Sequence, residues 1–336
     1  MKRIFITGAS GCIGHYMTET LIQNTNHELY LLVRNPDKLQ LDYQARRGIN
    51  LLVGDMSRIE EYSDLLLKDI DVAILAATAW GGTGETYDIN VVKTLALINL
   101  LNPKICERVI YFSTASILDR NNQLLLPASQ FGHDYIRTKY QCFSQLNKQA
   151  MSSTSPKGLA NASSAIADKI IAVFPTLVFG GEKNKPYSHL SAGITDVTKW
   201  IGLIRWFSLD GSFHFIHARD IAEVIRYLVE NPDFSPTPEA ESSGVKCLVI
   251  GNPAISVDQT IAEITSYFNQ KVYLRIPLYV WLTNIFIKIF RIQMDSWSRF
   301  SLDYRHFTYK NPVTPASFGM QNYCSTVQDL LEASGV

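Results

Sequence analysis

The stretch Arg3-Ile4-Phe5-Ile6-Thr7-Gly8-Ala9-Ser10-Gly11-Cys12-Ile13-Gly14 decides how the rest of the chain reads. An apolar run of strand length hands over to three glycines spaced three apart, and the apolar-periodic segment 11–23 follows at once. At such a turn the glycines allow a tight bend, close approach of the backbone to a pyrophosphate, and close packing of helix on sheet. The helix N-terminus then offers unpaired N–H groups to an anion. Gly8, Ser10, Gly11, Cys12, Ile13 and Gly14 are therefore the expected phosphate cradle of a dinucleotide.

Beyond this turn, short apolar runs alternate with helical patterns, the signature of parallel strands joined by crossover helices. Strands are expected at 3–7, 28–33, 50–53, 71–76, 108–113 and 169–174, and helices at 11–23, 59–67, 86–101 and 135–151. This order predicts an α/β fold, a Rossmann-type doubly wound parallel sheet over residues 1–180. After about Gly180 the loops lengthen, and 181–336 reads mainly as a smaller C-terminal substrate-binding lobe. Its elements are expected at 213–217, 221–229, 247–250, 257–269 and 277–290, with about 213–231 and 246–256 returning to the main domain. Segments 152–164 and 231–244 read as surface loops on composition.

The 336 residues suit about two domains, or one large domain with a lobe. Lys+Arg and Asp+Glu balance at 31 each, without long blocks of one sign, which removes the electrostatic footprint of a nucleic-acid binder. A small molecule is the expected partner. Cys12, Cys106, Cys142, Cys247 and Cys324 are scattered without a Cys-x-x-Cys pair. The apolar run Ile4-Phe5-Ile6 is too short for a signal-peptide core. No stretch reaches the roughly 18 apolar residues of a membrane span. The expectation is a cytoplasmic protein that at most lies against a membrane surface.

The second strand ends Leu31-Leu32-Val33-Arg34-Asn35, about twenty residues beyond the last glycine. NAD-selective sites place a carboxylate there, whereas a 2′-phosphate needs a cation. Arg34 thus predicts NADP(H) rather than NAD(H), the alternative being a solvated loop arginine. Asp55, with Met56 beside it, is placed either to meet the adenine or to cap the following helix.

Tyr135-Ile136-Arg137-Thr138-Lys139 puts a phenol and an ammonium four apart, on one face of a helix. A nearby Lys⁺, together with the positive nicotinamide ring of an oxidised coenzyme, would lower a phenol pKa of about 10 and suit Tyr135 to proton exchange with a substrate oxygen. Phe112-Ser113-Thr114-Ala115-Ser116 ends the fifth strand, at the crevice where doubly wound sheets bind ligands. Thr114 is the expected hydrogen-bond partner of that oxygen, with Ser113 in reserve; the alternative for both is satisfaction of strand-end backbone.

With these motifs in order, the sequence resembles the extended short-chain dehydrogenase/reductases, the group that includes NAD-dependent epimerases and dehydratases. Gly54-Asp55, Ala76-Ala77, Tyr87-x-x-Asn90-Val91, Pro175-Thr176-Leu177-Val178-Phe179-Gly180 and Phe215-Ile216-His217-Ala218-Arg219-Asp220-Ile221-Ala222 extend the match over most of the chain. The resemblance implies that Ala76 and Ala77 line the cofactor, that Lys139 also holds the nicotinamide ribose, and that Pro175 borders the nicotinamide. Dehydratases of the group follow the catalytic Thr with Asp-Glu, but Ala115-Ser116 stands here, which counts against dehydration. Phe174 and Leu177 stand where the group's nucleotide-sugar epimerases carry Arg and Asn, which counts against a sugar-nucleotide ligand, although Arg219 offers a phosphate grip. Homodimerisation through 86–101 and 135–151 is expected by analogy.

Leu278, Trp281, Leu282, Ile285, Phe286 and Ile289 recur at helical spacing, and the opposite face is apolar too. Such a helix belongs in a core, against a hydrophobic substrate or on a membrane surface. The aromatic run Trp297, Phe300, Tyr304, His306, Phe307 and Tyr309 either roofs a pocket or fills a core. Trp80 precedes Gly81-Gly82-Thr83-Gly84 at the crevice mouth, as a substrate-facing lid or a rigid turn. His133, His214 and His217 have no metal-like spacing, and no metal is expected.

The leading functional expectation is an NADP(H)-dependent oxidoreductase acting on a carbonyl or alcohol of a small, fairly apolar substrate. A nucleotide-sugar epimerase with tightly bound NAD(P) and a non-catalytic NADP(H)-binding sensor or assembly protein are the alternatives.

Overall fold

A computed structural model of the chain describes residues 1–153, 166–182, 184–236, 244–272, 274–279 and 294–335. Six strands come first: β1 (Arg3–Thr7), β2 (Glu28–Val33), β3 (Ile49–Val53), β4 (Val72–Leu75), β5 (Arg108–Phe112) and β6 (Ile170–Pro175). Short strands β7 (Leu177–Phe179), β8 (Phe207–Ser208), β9 (Ser212–Phe213) and β10 (Phe215–His217) precede β11 (Lys246–Ile250). The central sheet has the order β11-β6-β5-β4-β1-β2-β3, and every pairing in it is parallel. Sequence order reverses where β1 lies between β2 and β4, which opens a crevice beyond the carboxyl ends of the strands.

Strand side chains alternate between two buried faces, as a parallel sheet covered on both sides requires. Phe5, Ala73, Val109, Tyr111 and Phe174 point to one side, where Ile59, Leu97, Ile136, Phe143 and Leu146 cover them. Ile4, Ile6, Ile74, Ile110 and Val173 point to the other. There α1 (Cys12–Asn24) and the helix Ala218–Glu230 supply Tyr16, Met17, Leu21, Ile221, Val224, Ile225 and Leu228. A third cluster joins Ile194, Ile201, Phe215, Ile261, Ile264, Val327 and Leu330, from the helices His189–Ile204, Val257–Tyr267 and Val327–Ala333 together with β10.

Small sheets pair β10 with β7, and β9 with both β12 (Ile255–Ser256) and β14 (His306–Phe307); β8 pairs with β13 (Ile276–Pro277).

The structure differs from the sequence expectation at several elements. The helix expected at 86–101 is a π-helical turn, Asp88–Lys93, between the α-helices Thr83–Tyr87 and Thr94–Leu100. The one expected at 59–67 divides into a 3-10 turn, Met56–Tyr62, kinked at Arg58, and the helix Ser63–Lys68. Pro277 lies in β13 rather than in a helix, and the remainder of the 277–290 expectation falls largely outside the described residues. The same holds for most of 152–164 and for 237–243.

Candidate active site

At two of its three glycines, Gly8 and Gly14, the turn leaves no space for a side chain. Gly8 has φ +79°, and a Cβ there would sit 2.6 Å from the Ala76 carbonyl carbon and the Ala77 nitrogen. A Cβ at Gly14 would sit 2.0 Å from the Gly8 carbonyl oxygen. Gly11 caps α1 without a side-chain hydrogen bond, and the first turn holds no acid, so its N–H groups face outward uncapped by side chains. This backbone cradle fits the diphosphate of a dinucleotide. Ser10, Cys12 and Ile13 are partly buried around it. Cys12 abuts Gly180, and burial pushes its thiol up to about 12, so it acts as a packing group.

At the end of β2, Arg34 is largely exposed, with Nε 3.8 Å from Asp55 Oδ2 and Nη1 3.9 Å from Glu85 Oε1. Val33 supplies no carboxylate. Asp55 caps the Met56–Tyr62 turn by accepting from the Ser57 N–H at 2.8 Å, and that hydrogen bond holds its carboxyl below the usual range. Of the two roles foreseen for Asp55, the cap is the one visible; Met56 beside it is buried. Glu85 was not foreseen.

The helix Asp134–Ser153 buries Ile136, Lys139, Cys142, Phe143 and Leu146 at three- and four-residue intervals, which turns Lys139 toward the end of β5. Its Nζ donates to the Phe112 carbonyl oxygen at 2.7 Å and lies 6.0 Å from the Tyr135 ring centroid. Burial draws Lys139 down to about 8. The same cause pushes the Tyr135 phenol up to about 12, with the neighbouring Thr114 hydroxyl pulling the other way. Desolvation dominates at this phenol, and the Lys139 ammonium is committed to a backbone carbonyl. Thr114 caps the turn Ala115–Ile117, and Ser113 is buried at the same strand end.

Above Tyr135 lies Trp80. The two rings stack with centroids 3.9 Å apart and planes at 11°, and His189 approaches the indole at 4.6 Å. Asn90, fully buried in the π-helical turn, fixes this arrangement. Its Oδ1 accepts from the Thr78 hydroxyl at 3.0 Å and the Ala79 N–H at 2.8 Å. Its Nδ2 donates to the Ala79 carbonyl oxygen and the Thr138 hydroxyl, both at 3.0 Å. The loop carrying Trp80 and the helix carrying Tyr135 are thereby joined by one side chain. Asn90 was visible in the Tyr87-x-x-Asn90-Val91 motif but had been given no role.

A cavity of about 190 Å³ opens beside Ala115, lined by Ser116, Thr176, Leu177, Phe213, Phe307 and Tyr309 among others. Thr176 Oγ1 is buried without a hydrogen-bond partner. Ser212, also on the wall, lies 2.8 Å from His306 Nδ1. His214 Nδ1 donates to the Asn252 carbonyl oxygen at 2.7 Å, and Nε2 accepts from the Tyr309 N–H at 3.0 Å, which fixes a neutral tautomer and seats Tyr309. Burial lowers the His214 pKa accordingly.

Leu177 thus lies on the cavity wall, and Pro175 ends β6 next to it. Arg219 does not line the cavity; its guanidinium stands 4.5 Å over the Tyr323 ring. Thr176, Ser116 and Ser212 were missed as wall residues, although Thr176 and Ser116 lay inside quoted motifs. A larger hollow at Ile22–Asn26 and Arg46 sits at the opposite end of α1 from the glycine turn.

Among the described residues no group of three or more His, Cys, Asp or Glu is arranged to hold a metal, and no helix is long and apolar enough to cross a membrane.

Solved structures share this fold over nearly the whole chain. The structure titled gox2253 has 17% identity and a TM-score of 0.65, covering 99% of this chain and 98% of its own. The dTDP-glucose 4,6-dehydratase of Bacillus anthracis str. Ames, in complex with NAD, has 12% identity and a TM-score of 0.61, covering 100% and 97%. A UDP-glucuronic acid 4-epimerase from Bacillus cereus, bound to NAD and a substrate analogue, has 16% identity and a TM-score of 0.60, covering 99% and 97%. A search of curated proteins gives no match. The family model for the NAD dependent epimerase/dehydratase family matches residues 4–242, and the chain belongs to that family.

Proposed function

We propose that this protein is an NADP(H)-dependent oxidoreductase that interconverts a carbonyl and an alcohol on a small, fairly apolar substrate. The observation that carries the reading is the convergence of Thr114, Tyr135 and Lys139 at the carboxyl end of β5, next to a mostly apolar cavity. Nicotinamide, when bound, supplies or takes up the hydride. Tyr135 exchanges the proton at the substrate oxygen, and Thr114 hydrogen-bonds the same oxygen. Lys139, buried and held by the Phe112 carbonyl, keeps a cation near the phenol. Trp80 covers the phenol and excludes water. Arg34, with no carboxylate at Val33, supports the choice of NADP(H) over NAD(H).

A nucleotide-sugar epimerase with tightly held coenzyme is the second reading, drawn from the activities named for the structural neighbours. Phe174 and Leu177, where the group's epimerases carry Arg and Asn, count against it. The intact Thr/Tyr/Lys set counts against a purely coenzyme-binding role.

The deciding experiment follows NADPH oxidation with a panel of aryl and alkyl ketones and aldehydes, alongside thermal shifts with UDP- and dTDP-sugars. Turnover of ketones that vanishes in Tyr135→Phe is the expected result. Stabilisation by nucleotide sugars together with copurifying NAD⁺ would overturn the reading in favour of the epimerase.

A further inference from the structure

The whole chain balances its acids and bases, yet segments 197–209 and 270–279 contain no Asp or Glu. Their charged residues are Lys199, Arg205, Lys271 and Arg275. The fold brings the described parts of these segments together. β13 lies parallel against β8, with Ile276 opposite Phe207 and Pro277 opposite Ser208. The Arg205 guanidinium donates to the Lys271 carbonyl oxygen at 3.2 Å and stands 5.2 Å from the Trp206 ring centroid. Trp200, Leu203, Trp206, Leu274 and Ile276, all large and apolar, are exposed on the same segments, Trp200 at 62% and Leu274 at 72%. The acids that border the region include Asp196, one residue before the first segment and in the same helix, Asp258, 3.7 Å from Arg275, and Asp210, which pairs with Arg305.

We infer that this face docks on an anionic phospholipid surface. Exposed tryptophans and aliphatic side chains interleaved with Lys and Arg suit the headgroup boundary, where rings enter the acyl edge and cations meet phosphates. Large apolar side chains grouped on a surface mark an interaction site. A second copy of the chain would bring one basic face against another, and like charge opposes that pairing.

Flotation of the full chain with two kinds of vesicle tests the inference. One kind is phosphatidylcholine alone and the other phosphatidylcholine containing phosphatidylglycerol. The protein is expected to float with the anionic vesicles, about tenfold less with the neutral ones, and to be released by high salt. Trp200→Glu with Leu203→Glu abolishes flotation, and Lys199→Gln with Arg205→Gln lowers it about tenfold, with the thermal unfolding temperature as the check on folding. If the first pair fails to fold, quenching of wild-type tryptophan fluorescence by brominated phosphatidylcholine in the anionic vesicles reads the same contact, and Trp200→Phe reduces it. Absence of flotation, equal flotation with both vesicles, or a lipid-independent dimer that Trp200→Glu dissociates would each overturn the inference.

Discussion

Trp80 and Tyr135 form a parallel stack at the mouth of the crevice, with ring centroids 3.9 Å apart. The loop beneath it bends through Gly82 at φ +72°, and Gly81, Gly82 and Gly84 have open space around them. The indole thus shields one face of the phenol and is itself half exposed. Replacing Trp80 by Ala removes a contact of about 1 kcal/mol and lets water reach the phenol. The Tyr135 pKa then moves down from about 12, toward its ordinary value near 10. The alkaline limb of the rate profile for carbonyl reduction shifts to lower pH, which a kcat/KM titration of both proteins measures.

Tyr135→Phe keeps the ring stack and removes only the oxygen. Turnover is expected to fall by about 10²–10⁴-fold, while the thermal shift produced by NADPH stays within experimental error. Loss of the thermal shift together with turnover would assign the residue to coenzyme binding instead.

Arg34→Ala removes the cation at the end of β2. A charge-assisted contact with a 2′-phosphate is worth about 1.5–3 kcal/mol, so KM for NADPH is expected to rise about 10–100-fold while KM for NADH changes little. Equal changes for both coenzymes would place Arg34 away from the phosphate.

Asn90→Ala deletes four hydrogen bonds of 2.8–3.0 Å inside the protein. It leaves the backbone groups of Ala79 unpaired, for a cost of about 3 kcal/mol. A lowered unfolding midpoint should accompany a fall in kcat larger than the change in KM, because the stack and the Lys139 helix lose their common tie.

His217, which ends β10 and caps the helix Ala218–Glu230, and Asp220 in the first turn of that helix are both buried, and burial moves their pKa values in opposite directions. His217 is drawn down to about 4 and Asp220 pushed up to about 6. His217 contributes stability above its unfolded pKa near 6.5, and that contribution is lost as pH falls toward 4. Asp220 contributes most below its unfolded value near 3.9 and loses that as pH rises through 6. His217→Asn keeps a capping side chain and abolishes the first dependence. Between pH 6.5 and 4.5 the variant should therefore gain stability relative to wild type, by on the order of 2 kcal/mol. Parallel denaturant titrations across that window decide it.

The sheet was legible because its strands are apolar runs with glycine or charge at their ends: β1 and β2 begin and end where the pattern places them. Segments 86–101 and 59–67 were harder. A buried Asn90 has the hydrophobic periodicity of neither helix type, and the demand for its four hydrogen bonds, not local propensity, accompanies the π-turn. The sharing of one helix by Tyr135 and Lys139, and the place of Thr114 at a strand end, were readable from spacing. The cavity wall was foreseen only in part, through Leu177, Phe307 and Tyr309, since Thr176 and Ser212 join them only through pairing of distant short strands. The effect of burial on Tyr135 was also hidden, because desolvation depends on what covers the ring, and Trp80 lies far off in sequence.

β11 joins the outer edge of β6 across an interval that includes the short strands β7 to β10. During synthesis, then, β6 emerges from the ribosome long before its neighbour and presents unpaired backbone amides and carbonyls until residue 250 is free. Such an edge invites pairing with other nascent chains. Translation pauses between 176 and 246 should raise aggregation, whereas pauses after 250 should not.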